Sequence, residues 1–286
     1  MPDAPVPDAA ASGLSTALND DFALLVVVTR AAGDLAMDDF KRGGGERWEK
    51  APGHPVCAAD FAVDEYLKTA LLGPRPGYGW LSEETADAPG RLSCARVWVV
   101  DPIDGTRDFL RGRTGWAVSV ALVEAGRVVA GALAAPARDQ LFTTLAGHGS
   151  YCNGVRLAVS GRQQLAGLAL PADAASLAAN FWPERWDAVA VEKPNSLALR
   201  IAKVAAGEAD AFIEGRTISE WDVAAAALIL TEAGGVVTDR DGAALSFNRP
   251  VPEVRGLVAA TPALHDAVRG RLNAGVAALE QRRRGR

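Results

Sequence analysis

The stretch Val97-Trp98-Val99-Val100-Asp101-Pro102-Ile103-Asp104-Gly105-Thr106 constrains this chain more than any other. Four apolar residues, 97–100, read as a buried strand. They run into two carboxylates three residues apart and then a Gly-Thr pair. Function concentrates where strands end and side chains are released. Pro102 fixes its own φ and turns the chain out of the strand. That turn can aim Asp101 and Asp104 at one point, with the Ile103 carbonyl as a further oxygen. Gly105 permits close backbone approach. The amides of Gly105 and Thr106 then open a short helix over 107–110, a seat for an anion.

Around this stretch the pattern is mixed. Leu18, Phe22, Leu25, Ala32, Leu35 and Ala36 recur at helical spacing, which predicts a helix from Leu14 that Gly43-Gly44-Gly45 ends. Asp20 and Asp21 would suit the positive end of its dipole. A polar loop over 46–55 leads to a second helix over 58–72, with Asp60 in its first turn. A Gly/Pro-rich turn precedes Trp80-Leu81-Ser82-Glu83-Glu84, a short strand ending in acids. Strands over 116–123, 127–135, 141–145 and 150–159 predict a meander and a mostly antiparallel sheet.

Beyond residue 165 short strands (168–170, 211–213, 236–237, 256–260) alternate with helices (196–206, 221–233, 262 onward). That alternation predicts a covered, largely parallel sheet. The expected organisation is a disordered leader over 1–13, an N-terminal α+β half over 14–165 and a C-terminal α/β half over 166–286. The site would lie between the halves.

Composition removes several classes. A net charge of −5 argues against a nucleic-acid polymer as partner. The basic run Arg282-Arg283-Arg284 reads as a solvated tail. No apolar run is long enough to span a membrane. Cys57, Cys94 and Cys152 are too few and too scattered for a disulfide framework or a zinc site, which fits a reducing cytoplasm. His54, His148 and His265 have no metal-like spacing, and GxSxG and Walker A strings are absent.

Glu83, Asp101, Asp104 and Asp222 all stand at element ends. Packed together they would raise one another's pKa unless cations neutralised them. Oxygen-only ligands suit hard ions such as Mg²⁺, and adjacent Mg²⁺ ions are a device for phosphoryl chemistry.

Three strings, Trp80-Leu81-Ser82-Glu83-Glu84, WVVDPIDGTRDFLRG over 98–112 and Glu220-Trp221-Asp222-Val223-Ala224-Ala225, resemble the signatures of the inositol monophosphatase superfamily in order and spacing. The resemblance covers the chain from Leu14 onward. It implies an αβαβα-layered α/β sandwich and a Mg²⁺-dependent, Li⁺-sensitive phosphomonoesterase acting through a metal-activated water. It also implies roles. Glu83, Asp101 and the Ile103 carbonyl would hold one Mg²⁺; Asp101, Asp104 and Asp222 a second. A third ion would lie near Glu83 and Asp60. Thr106, partnered by Asp60, would orient the attacking water, and the amides at Gly105 and Thr106 would hold phosphate. Relatives include monomers and homodimers.

Substrate choice rests on other residues. Arg107 resembles the basic residue at this place in 3′(2′),5′-bisphosphate nucleotidases, where it could meet a second phosphate. The approach Thr217-Ile218-Ser219-Glu220 is also closer in look to such members. Asn195-Ser196 stands where relatives have Gly followed by Ser or Thr near the substrate, so Ser196 is a candidate contact with Ser219. Glu214 lies eight residues before Asp222, as a candidate sugar-hydroxyl ligand. The favoured reading is hydrolysis of 3′-phosphoadenosine 5′-phosphate to AMP. The alternative is myo-inositol monophosphate to inositol, with fructose-1,6-bisphosphate and histidinol phosphate behind it. A catalytically silent binding relative would have lost a metal carboxylate or Thr106, and this chain keeps them all.

Overall fold

The computed structural model of the chain describes residues 16–43, 46–51 and 54–284. The expected leader over 1–13 lies outside them. In order, the elements are α1 (Thr16–Lys41), β1 (Arg47–Ala51), β2 (His54–Cys57), α2 (Ala58–Leu72), β3 (Gly79–Ser82), β4 (Arg96–Asp104), α3 (Thr106–Leu110), β5 (Ala117–Glu124), β6 (Arg127–Ala135), β7 (Gln140–Leu145), β8 (Ser150–Cys152) and β9 (Val155–Arg156). There follow β10 (Leu168–Pro171), α4 (Ala174–Leu177), β11 (Ala188–Val191), α5 (Leu197–Ala205), β12 (Ala211–Ser219), α6 (Ala224–Glu232), β13 (Val236–Thr238), β14 (Glu253–Ala260) and α7 (His265–Arg284).

Strands β3 to β9 form one seven-stranded sheet in sequence order. The β3–β4 pair is parallel and the rest antiparallel, as the meander pattern predicts. Alternation along β4 sorts its side chains to two cores. Trp98 and Val100 pack with Leu25, Val63 and Leu67 of α1 and α2, while Val97 and Val99 pack with Ala198, Leu199 and Ile229 of α5 and α6. The same sorting recurs on β14, where Leu257 and Ala259 face the α5–α6 layer and Val258 and Ala260 face Leu264 and Val268 of the C-terminal helix region. The layers are therefore α1/α2, seven-stranded sheet, α5/α6, three-stranded sheet and α7, an αβαβα sandwich. The α5/α6 layer packs against both of these sheets. A side chain at Gly131 on β6 would meet the Ala225 Cα of α6 at 3.2 Å, so glycine lets the helix seat closely.

The largely parallel second sheet is corrected. β12–β14 and β13–β14 are antiparallel, and only β10–β11 is parallel. Strand–helix alternation reports that both faces are covered, not which way strands run. Between β13 and β14 the chain returns by the loop 239–252 rather than by a helix, which reverses the direction.

Three further expectations change. The polar loop over 46–55 contributes a hairpin, β1–β2. Asp21 is not a dipole acid: it is fully buried and binds Arg75 Nε at 2.5 Å, Arg96 Nη1 at 2.6 Å and the Tyr78 hydroxyl at 2.6 Å. The arginine run is exposed, as expected, but it is the helical end of α7, with Arg282 donating to the Asn180 side-chain and backbone oxygens at 3.0 and 2.8 Å. No helix among the described residues is long and apolar enough to cross a membrane.

Candidate active site

Strand β4 does not stop at Val100 but runs through Asp104. Residues three apart on a regular strand point to opposite faces. Here Asp101 pairs with Ser119 and Asp104 with Ala117, so two residues, Pro102 and Ile103, oppose Val118 alone. This bulge turns both acids to the same side, a device common beside active sites. The Ile103 amide donates to Asp101 Oδ1 at 3.1 Å and fixes that side chain. Gly105 follows at φ +98°, where a side chain would meet the Gly115 oxygen at 2.6 Å and the Ser196 nitrogen at 2.9 Å. The position requires glycine on both counts.

The second half supplies Asp222 from the turn just before α6, not from within the helix. Its Oδ2 accepts the Ser219 amide at 2.9 Å. Asp101, Asp104 and Asp222 each place an oxygen within 4.8 Å of the others. Burial, then the charges of Glu83, Asp104 and Asp222, holds Asp101 well above the usual carboxylate range. Burial, then Asp104 and Glu83, does the same to Asp222. Asp104 is raised by burial, against hydrogen bonds from Ser196, Ala198 and Leu197 that favour its charged form. A buried, oxygen-only, mutually repelling donor set of this kind fits a hard divalent cation such as Mg²⁺. Glu83, exposed just past β3, and Asp60 stand outside this closest trio, yet both act electrostatically on Asp101.

Asp60 is buried in the first turn of α2. Its Oδ2 accepts the Cys57 amide at 2.8 Å and the Cys57 thiol at 3.0 Å, which leaves Oδ1 to face the Thr106 hydroxyl at 3.3 Å. Burial, then Asp60, pushes the Cys57 thiol up to about 12, so it stays protonated as a donor. The Thr106 hydroxyl also lies 3.1 Å from the Ile103 oxygen. Thr106 thus joins the bulge to α2.

The candidate substrate residues fall in different places. Ser196 is fully buried and its hydroxyl is spent on Asp104 at 2.5 Å, so the structure turns it from a substrate contact into a support for an acid. Ser219 reaches the site through its backbone amide. Arg107 and Glu214 line an open polar cavity of about 630 Å³, which also takes in Leu197, whose amide binds Asp104. Around it Arg107, Arg111, Arg113, Arg138, Lys193, Arg200 and Arg216 outnumber Asp108, Asp173, Glu192 and Glu214. Glu214 is engaged by Arg216 at 2.9 and 3.1 Å; burial works to raise it, but these bonds outweigh burial and hold it below its ordinary value.

Several supporting residues carry no signal in the sequence pattern. Glu220, fully buried, accepts the Asn248 and Arg249 amides at 2.6 and 3.1 Å and ties that loop to the turn carrying Asp222. Asp108 accepts the Asn195 amide at 3.0 Å, and Asp64 binds Ser82 and Thr85. Burial, not any pattern of sequence neighbours, sets Asp64 and Glu220 apart.

An αβαβα sandwich with a buried acidic centre is the frame of one class: a metal-dependent phosphoric monoester hydrolase. The chain belongs to the inositol monophosphatase family, which matches residues 21–277. It is 42% identical over 201 residues to an inositol-1-monophosphatase from Mesorhizobium japonicum, covering 68% of this chain and 75% of that one. It is 30% identical to the Nus factor SuhB of Pasteurella multocida, covering 79% of this chain and 87% of that one. Among solved structures it resembles the Thermotoga maritima IMPase, with a TM-score of 0.77, 28% identity and coverage of 90% and 98%. Relatives bearing the inositol-1-monophosphatase name fit the inositol reading better than the nucleotidase reading favoured from Arg107.

Proposed function

We propose that this protein hydrolyses the phosphate monoester of a small polyhydroxylated alcohol, with myo-inositol monophosphate as the reference substrate. The observation that carries this reading is the convergence of Asp101, Asp104 and Asp222 within 4.8 Å, in a chain whose relatives bear the inositol-1-monophosphatase name. Asp101, Asp104 and Asp222, with Glu83 and the Ile103 carbonyl, would hold two Mg²⁺ ions, and Asp60 with Glu83 a third. Bound there, Mg²⁺ supplies neutralisation of charge on the phosphate oxygens and the departing alkoxide.

The chain's own groups do the positioning. Thr106 can give its single hydroxyl proton to Asp60 or to the Ile103 carbonyl. Either choice leaves oxygen lone pairs to accept a hydrogen bond from the attacking water and hold it in line with phosphorus. Cys57 keeps Asp60 turned toward Thr106. The amides at Gly105 and Thr106 seat the phosphate. Three free cysteines suit a reducing cytoplasm.

A second reading has its own observation, the basic excess around the polar cavity. A 3′(2′),5′-bisphosphate nucleotide would place its second phosphate among Arg107 and its neighbours. Rates on myo-inositol 1-phosphate and 3′-phosphoadenosine 5′-phosphate, measured side by side with Mg²⁺, separate the two. A higher kcat/KM on the inositol ester supports the first. A higher value on the nucleotide overturns it in favour of the second.

A further inference from the structure

We propose that Asp64 is a positioning residue for the acidic centre: it locks the turn carrying Glu83 onto the helix carrying Asp60, and so sets the Mg²⁺ affinity of the site. The proposal rests on the reading of that site as a Mg²⁺ centre.

Asp60 and Asp64 lie one turn apart on α2, and both are buried, at 1% and 6% exposure. Asp60 reaches Thr106. Asp64 accepts the Ser82 hydroxyl at 2.5 Å on Oδ1 and the Thr85 hydroxyl at 2.5 Å on Oδ2. Those two residues bracket Glu83 and Glu84. Both hydroxyls also accept a hydrogen bond, Ser82 from the Glu84 amide at 3.3 Å and Thr85 from the Trp80 indole at 3.3 Å. Each therefore presents its proton to Asp64, and a side chain with two acceptors is required to take both. Bonds from hydroxyls to a carboxylate are charge-assisted and strong.

On its other side the turn is tied to the acidic strand. The Glu83 amide donates to the Val100 oxygen at 3.3 Å, one residue before Asp101. Glu83 is thus held between β4 and α2, and its exposed carboxylate acts on Asp101 and Asp222. Without Asp64 the Ser82–Thr85 turn loses its two bonds to α2, and the placement of Glu83 relative to the other acids loosens on that side. Partners that orient ligands in this way are worth about 10–100-fold in metal affinity.

The test is calorimetric titration of Mg²⁺ into metal-free full-length protein, with circular dichroism to establish folding. Asp64→Ala is expected to weaken Mg²⁺ binding about 10–100-fold. Thr85→Val is expected to weaken it in the same direction, and Thr85→Ser, which keeps the hydroxyl, to restore wild-type affinity. A folded Asp64→Ala protein that binds Mg²⁺ within twofold of wild type overturns the proposal. Where Asp64→Ala does not fold, Thr85→Val decides: wild-type affinity there overturns it equally. A wild-type chain that takes up no Mg²⁺ overturns instead the reading of the site beneath it.

Discussion

The Ser196 hydroxyl donates to Asp104 Oδ2 at 2.5 Å across 92 residues of sequence. The same oxygen of Ser196 accepts the Leu199 amide at 2.9 Å and so caps α5. Leu197 and Ala198 add their amides to Asp104 at 3.1 and 2.8 Å. One acid on β4 therefore receives the start of α5, which ties that helix to the seven-stranded sheet at the site. An acid at a helix N-terminus is also favoured by the dipole.

Ser196→Ala removes that hydroxyl from both jobs. Mg²⁺ affinity is expected to fall about tenfold, as for a lost ligand-orienting partner, and stability by about 1–2 kcal/mol, as for a lost N-cap. Calorimetric titration and urea unfolding read the two effects. Unchanged Mg²⁺ affinity would show that the Ser196–Asp104 bond serves the helix alone.

Thr106→Val keeps the shape of the side chain and deletes the water-orienting oxygen. A fall in kcat of about 10²–10⁴ is expected, with Mg²⁺ affinity near wild type. Asp60→Asn should also lower kcat, because the amide cannot serve the Thr106 hydroxyl as the carboxylate does. A Thr106→Val enzyme with wild-type kcat would remove Thr106 from the reaction.

Burial together with mutual repulsion raises Asp101 and Asp222, and burial raises Asp104. In metal-free protein these groups hold protons that the unfolded chain releases near the ordinary carboxylate pKa of about 4. Their contribution to stability is full below that value and is lost as pH rises through the shifted values. Mg²⁺ must expel those protons, so its affinity should rise with pH over the same window. Titrations at pH 5.5 and 7.5, in buffers of different ionisation enthalpy, should show weaker binding and greater proton release at the lower pH. Equal affinity at both would contradict this coupling.

Asp21 tests the frame rather than the chemistry. It is fully buried between Arg75 and Arg96 and joins α1 to the β3–β4 edge. Asp21→Ala removes a buried carboxylate from two part-exposed guanidinium groups and the Tyr78 hydroxyl, which costs about 1.5–3 kcal/mol. Urea unfolding should show that loss, while kcat at a temperature where the variant is folded stays at the wild-type value. A loss under 1 kcal/mol would make the network dispensable.

Much of the frame was legible in the residues, and the reasons are local. Helix α2 and strand β6 fall on 58–72 and 127–135 as their periodicities predict, because each has a clear apolar pattern and clear end signals. The hairpin 47–57 was not legible. Its Trp48 is exposed and stacks at 5.6 Å on the equally exposed Phe61 of α2, so no inward alternation marks the strands. At the site the acids could be named from the DPIDGT and WD strings. Their common orientation depends on the bulge at Pro102–Ile103, and three-residue spacing alone would set Asp101 and Asp104 on opposite faces. Ser196 read as a substrate contact because a serine at a helix start carries no mark of what it faces. Its burial against Asp104 is a product of how the halves pack.

If Asp101, Asp104 and Asp222 form a Mg²⁺ centre, the hydrolysis of a small phosphate monoester depends on that metal and on all three acids. Phosphate release from myo-inositol 1-phosphate by metal-free protein, followed as Mg²⁺ is added, tests it most directly, with Asp222→Asn alongside. The expected result is no turnover without metal, saturable turnover with Mg²⁺ and loss by orders of magnitude in the variant. Turnover that ignores Mg²⁺, or that survives in Asp222→Asn, would contradict it.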